Sequence, residues 1–193
     1  MNEEKLTGFL VAVACLTLSV TLVFAEDLTR SFNIVPPDYA ESLHYSRQQP
    51  AFQITAPKGW YMALATSDHV ADRAVFFKSD PKKILSEGHI QTPNIRISFA
   101  PNPQELPASF MTSDYASQIR SAGGSLLSEP QDIRAGDKPG SHFTSLDPHS
   151  NIVMDIYVFK EGGMYICAMA LCSYAEFEKI KPMIKESVDS ITF

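Results

Sequence analysis

The longest run of alternating apolar positions, Asn151 to Leu171 (NIVMDIYVFKEGGMYICAMAL), predicts a β-hairpin of two long buried strands. In the first arm Ile152, Met154, Ile156 and Val158 alternate with Val153, Asp155, Tyr157 and Phe159. In the second, Met164, Ile166, Ala168 and Ala170 alternate with Tyr165, Cys167, Met169 and Leu171. Successive side chains of a strand point to opposite faces, and a strand that is apolar on both faces is covered on both sides. Glu161-Gly162-Gly163 supplies the turn, because glycine takes the positive φ that tight hairpins need. The pattern puts this hairpin at the centre of a sheet, with layers packed above and below.

The other elements follow from shorter patterns. Asp38 to Gln49 has a weak helical period through Tyr39, Leu43 and Ser46, which suits a short helix or a linker that wraps the domain. Phe52 to Ala56 alternates like a strand and stops at Pro57. Lys58-Gly59 then turns the chain into Trp60 to Leu64, giving a first hairpin. Ala74 to Lys78 is a third short strand. Ser79 to Pro93, with Pro81, Gly88 and Pro93, reads as a long polar loop with Lys78, Lys82 and Lys83 at its start. Asn94 to Ala100 alternates cleanly as a strand. Thr112 or Ser113 is placed as the N-cap of a helix over about Ser113 to Ala122, with Met111, Tyr115, Ile119 and Ala122 on one face and Gly123-Gly124 as its stop. Ser125 to Arg134 and Lys138 to Leu146 form two strands joined by Ala135-Gly136-Asp137. Ser173-Tyr174-Ala175-Glu176 is a capping box. It opens a C-terminal helix with the apolar face Phe177, Ile180, Ile184, Val188 and Ile191, which Pro182 is expected to kink near Lys181.

Length changes the picture at the N-terminus. The 193 residues fit one domain plus a targeting segment. Leu6 to Ala25 has no ionisable group except Cys15, and Val23-Phe24-Ala25 before Glu26 matches the small-residue pattern of a signal-peptidase site. About twenty apolar residues also suffice to span a bilayer. Residues 1–25 are thus a signal peptide or an N-terminal membrane anchor, 26–50 a linker, and 51–193 the folded domain. The protein is expected to be extracytoplasmic. A net charge of −6 argues against a general nucleic-acid binder. Cys167 and Cys172 lie five residues apart, about 16 Å in extended chain. A disulfide needs Cα atoms roughly 6 Å apart, so they pair only if the chain turns sharply after Ala170; otherwise Cys167 is a core thiol and Cys172 sits at a strand end.

Chemistry-bearing patterns are few. The five histidines, His44, His69, His89, His142 and His149, form no H-x-H or H-E-x-x-H motif. The candidate metal set is His142, Asp147 and His149, converging across the turn before the central hairpin, since imidazole and carboxylate both ligate zinc. No G-x-S-x-G elbow or phosphate-binding glycine loop occurs. In Gly140-Ser141-His142 the serine and histidine are strand neighbours on opposite faces, so they do not share a proton. No catalytic residue and no cofactor is assigned, and a non-enzymatic role is expected.

Phe52-x-Ile54-x-x-Pro57-x-Gly59-Trp60 resembles the opening signature of PsbP-like domains. The order of elements and the ending Val188-Asp189-Ser190-Ile191-Thr192-Phe193 also resemble that family, from about Phe52 to Phe193. The resemblance implies an α+β fold, a three-layer α/β/α sandwich around an antiparallel sheet. It also implies an accessory role with a protein partner at a membrane complex. The alternative is an exported binder of a small ligand or metal.

Overall fold

The computed structural model describes residues 31–67, 72–87 and 93–193. The leader and the histidines His69 and His89 lie outside them. Among the described residues the chain forms an α+β fold, an antiparallel eight-stranded sheet with helices packed on it. The strands are β1 (Phe32–Val35), β2 (His44–Gln48), β3 (Ala51–Thr55), β4 (Tyr61–Ala65), β5 (Asp72–Phe77), β6 (Asn94–Pro101), β7 (Ser125–Ala135), β8 (Lys138–Asp147), β9 (Ile152–Glu161) and β10 (Met164–Ser173). The helices are α1 (Pro81–Glu87), α2 (Ala108–Ser121) and α3 (Tyr174–Asp189). The large sheet runs β1-β4-β5-β6-β10-β9-β8-β7, and β2 and β3 form a separate pair.

The central hairpin is β9–β10, in register from Ser173 opposite Ile152 to Met164 opposite Glu161. Its turn, Gly162-Gly163, has φ of 55° and 70°, as a two-residue turn with both central residues left-handed requires. The two parities of these strands enter different cores. Val153, Phe159, Ile166, Ala168 and Cys172 pack with Phe177, Ile180, Ile184 and Val188 of α3 and with Phe52 and Ile54 of β3. Ile156, Val158, Tyr165, Cys167 and Met169 pack with Ala108, Tyr115 and Ala116 of α2. A smaller core joins Ile84 of α1 to Phe32, Ala63, Val75 and Phe77. Cys167 and Cys172 therefore sit in different cores as buried thiols. Burial pushes both thiols up to about 12.

Four expectations are corrected. The segment Asp38 to Gln49 is no helix but carries strand β2, which pairs with β3. Phe52 to Ala56 and Trp60 to Leu64 do not pair as a hairpin. The second edge of β3 is occupied by the C-terminal tail, with Gln53 and Thr192 exchanging backbone hydrogen bonds of 2.9 and 3.0 Å, so β4 passes into the large sheet between β1 and β5. The stretch Ser79 to Pro93 contains α1. Helix α2 begins at Ala108 after Pro107, which leaves Thr112 inside it rather than at its cap. The buried Thr112 hydroxyl turns to Ser141 Oγ at 2.7 Å. The stop is as read: Gly123 has φ 87°, and Gly124 N–H bonds the Ile119 carbonyl at 2.9 Å, a Schellman ending.

Helix α3 runs without interruption through Pro182. At its start Ser173 Oγ donates to Glu176 Oε2 at 3.2 Å instead of capping the backbone. Its far end is stitched to β3: Ser187 Oγ donates to the Thr55 carbonyl at 2.5 Å, and Thr55 N–H to Ser190 Oγ at 2.8 Å. The β2–β3 pair and α3 thus cover one face of the sheet together.

Candidate functional site

The structure does not bring His142, Asp147 and His149 together. His142 and Asp147 lie five positions apart in β8, whose register with β9 is unbroken from Gly140 to Asp147. They point to opposite faces, about 17 Å apart along the strand. Asp147 is spent on its turn, accepting from His149 N–H at 2.9 Å and Ser150 Oγ at 2.6 Å. The Ser150 bond is the main reason its carboxyl lies below the ordinary range. Among the described residues no three histidine, cysteine or acidic side chains are grouped to hold a metal.

His142 instead meets Asp155. Position 155 on β9 is opposite Thr144 on β8, and His142 is opposite Tyr157, so all four side chains share a face. Asp155 is 1% exposed. Its Oδ1 accepts from His142 Nε2 and from Thr144 Oγ1, both at 2.7 Å, and Oδ2 accepts from Tyr157 OH at 2.9 Å. The His142 and Tyr157 rings stack with centroids 4.2 Å apart. Gln131 Nε2 lies 3.3 Å from His142 Nδ1, so the bonding pattern assigns the ring proton to Nε2. Burial first, then the Asp155 charge and hydrogen bond, raise the Tyr157 phenol above its ordinary range. A His–Asp pair can serve a nucleophile only if a hydroxyl or thiol adjoins the free ring nitrogen. Here an amide adjoins it, and Ser141 bonds Thr112 on the other face. This network is a polar clamp between β8 and β9.

The more open feature is a cleft of about 950 Å³ where α2 begins, beside the end of the β7–β8 hairpin. Asn102, 2% exposed, does not line the cleft but holds the loop that carries the lining residues Glu105 and Pro107. The Asn102 amide bonds both the carbonyl and the N–H of Leu106, at 2.9 and 3.0 Å, and its N–H bonds the Gly163 carbonyl at 2.7 Å. That loop forces Glu105 to φ 52°, a left-handed backbone that costs a non-glycine residue about 1–2 kcal/mol. Lys160 Nζ holds Glu105 through both its carbonyl and its carboxylate, each at 3.1 Å. Across the cleft Lys138 pairs with Glu161 at 2.7 Å, and that hydrogen bond raises the Lys138 ammonium above its ordinary range. Strand β7, at the sheet edge, contributes Asp132, Ile133 and Arg134. Gly140 lines the floor because a Cβ there would lie 2.5 Å from Phe159 Cδ1. Phe110, 44% exposed, follows the lining residues Pro107 to Ser109.

Sequence reading missed this cleft because its lining comes from α2, its preceding loop and three strands. Asp155 did leave a signal. It is the one carboxylate inside an apolar hairpin arm, and His142 and Thr144 have the i, i+2 spacing that puts both on one face of the preceding strand.

No protein-family model and no curated protein matches the chain. Among solved structures, the chain is similar to cyanobacterial PsbP (CyanoP) from Synechocystis sp. PCC 6803. The TM-score is 0.58 at 11% identity, covering 80% of this chain and 94% of that one. It is also similar to LpqN of Mycobacterium tuberculosis, described as involved in cell envelope biogenesis. There the TM-score is 0.50 at 10% identity, covering 88% of this chain and 96% of that one. The resemblance to PsbP-like domains read from Phe52 to Trp60 is thus matched in three dimensions, and at these identities the likeness is one of fold.

Proposed function

We propose that this chain is a non-enzymatic, extracytoplasmic accessory protein that docks a protein partner at a membrane-associated complex. We read its two helical coverings as the outer layers of an α/β/α sandwich. The observation that carries the docking role is the cleft beside edge strand β7, with its charges tied in the pairs Lys138–Glu161 and Lys160–Glu105 and the exposed Phe110 next to it. Exposed aromatic anchors beside a polar rim suit protein recognition. Among the described residues β7 is paired with a strand on one side only, and a strand edge of that kind offers backbone groups to a partner. The apolar run Leu6 to Ala25 supports export, and the likeness to a protein of cell envelope biogenesis supports an envelope setting.

The test is site-specific photo-cross-linking of the full chain in the envelope of its host. A photoreactive residue at Phe110 should trap one reproducible partner that the same residue at the exposed Glu178 of α3 does not. Equal yields at both positions, or no adduct at Phe110, would sink the docking role.

A further inference from the structure

Among the described residues strand β7 closes one margin of the sheet, paired to β8 alone. Its two halves differ. The first half carries features that discourage pairing along an edge. Its register against β8 shifts between Leu126 and Ser128 and again between Ser128 and Gln131, and Pro130, which has no N–H to offer, lies within the second shift. The second half, Gln131 to Ala135, runs in unbroken register opposite His142 to Lys138 and contains no proline. None of the described residues that flank 1–30, 68–71 and 88–92 belongs to β7 or β8.

The turn decides which backbone groups of this second half face outward. Gly136-Asp137 is a two-residue loop with Gly136 at φ 59°. In such a hairpin the pair beside the loop, Ala135 and Lys138, is hydrogen-bonded, and bonded pairs then alternate with unbonded ones along the ladder. Gln131, Ile133 and Ala135 therefore direct N–H and C=O to β8, while those of Asp132 and Arg134 point away from the sheet. The Asp132 and Arg134 side chains are exposed and line the cleft. They share the α2 face, because Asp132 is opposite Ser141, which bonds Thr112. Arg134 Nη2 also donates to the Asp137 carbonyl at 2.5 Å. Ile133, between them, is half-buried against the α3-side core.

The order Asp132-Ile133-Arg134 makes this edge complementary to itself. A second copy laid antiparallel along it forms hydrogen bonds only where outward-facing residues meet. Three such registers centre on this stretch. A two-fold axis at Asp132 sets carboxylate against carboxylate, and an axis at Arg134 sets guanidinium against guanidinium; like charges directly opposite destabilise a strand pair. An axis at Ile133 puts Asp132 opposite the partner's Arg134 and Arg134 opposite the partner's Asp132. Both are then bonded pairs with opposite charges, and the two isoleucines meet at the axis, where unbonded pairs bring side chains closest.

We propose that β7 pairs with β7 of a second copy of this chain about a two-fold axis at Ile133, joining the two sheets into one. That axis is perpendicular to the sheet, so both α2 helices stay on one face and the two clefts adjoin. The inference rests on the reading of β7 as a docking edge and names a partner for it. So short a contact belongs with small, reversible interfaces.

The test is sedimentation velocity of the full chain in a density-matched neutral detergent. The wild type should pass from monomer to dimer over roughly 5–500 µM. Asp132→Arg sets guanidinium against guanidinium in both pairs, and Arg134→Asp does the same with carboxylates; each should weaken association about tenfold. Both change exposed side chains, and circular dichroism checks that they fold. An equal mixture of the two variants restores opposite charges at both pairs and should regain the wild-type association. A wild type that stays monomeric at the highest concentration overturns the proposal whatever the variants do. So does a dimer that ignores either reversal, or a mixture no more associated than its components. The docking role fails separately. A monomeric chain that still gives a partner adduct at Phe110 keeps that role and loses this pairing, and a charge-sensitive dimer with no such adduct does the reverse.

Discussion

Replacing Asp155 by alanine should be among the most damaging single changes in the sheet that removes no apolar side chain. The substitution strands the donors on His142, Thr144 and Tyr157. The His142 side chain is 14% exposed and can recover water. Thr144 is 6% exposed and Tyr157 is half-buried, and a donor left without a partner in such surroundings costs about 1–3 kcal/mol. Two such losses, with the small cavity left by the carboxylate, give about 3–5 kcal/mol, the range for breaking a buried ionic hydrogen-bonded group. For a chain of this size that lowers Tm by roughly 6–20 °C. Asp155→Asn keeps an oxygen for His142 and Thr144, and only the Tyr157 hydroxyl has to turn, so it should cost about 1 kcal/mol. Urea unfolding read by circular dichroism on both variants checks the order. If Asp155→Ala falls within 1 kcal/mol of the wild type, the reasoning fails, because Asp155 would then not be the shared acceptor of the clamp.

Gly140→Ala should cost about 1–3 kcal/mol, since its Cβ would overlap the fully buried Phe159 ring and the Val158 carbonyl. Gly136→Ala, with φ 59° and nothing within 4 Å, should cost about 1 kcal/mol; equal thermal shifts for the two would count against the packing account. A double-mutant cycle on Thr112→Val and Ser141→Ala should show a coupling of about 0.5–1.5 kcal/mol for their 2.7 Å bond, and additivity would argue that the bond is energetically silent. Cys167 and Cys172, held up to about 12 by burial, bind protons more tightly when folded than when unfolded. Their contribution is complete below their ordinary value of about 9 and is lost as pH rises towards 12. The urea midpoint should therefore fall between pH 9 and 11, and a flat midpoint over that interval would contradict the burial of the thiols.

Local pattern carried the elements whose periodicity their own neighbours decide. The β9–β10 hairpin was legible because both parities are apolar and two glycines mark its turn. The apolar face of α3 was legible because Phe177, Ile180, Ile184 and Val188 recur at helical spacing. Pairing across long sequence distances was not. Nothing near Phe52 signals that Thr192 will occupy the outer edge of β3, so β3 and β4 read as partners. Helix α2 was read late because Thr112 and Ser113 are good capping residues. The partner that draws the Thr112 hydroxyl into the core, Ser141, lies 29 positions away. His142 was read as a metal ligand together with Asp147 and His149; the carboxylate it meets is Asp155 of β9, thirteen positions away and not in the turn.

The order of strands has a consequence for reach. The described chain enters at β1, one margin of the sheet, and the cleft lies at β7, the other. Seven strand spacings of about 4.8 Å separate them, about 34 Å. A partner seated at the cleft therefore meets the margin of the sheet farthest from β1, with the full width of the strands between it and the point where the described chain begins.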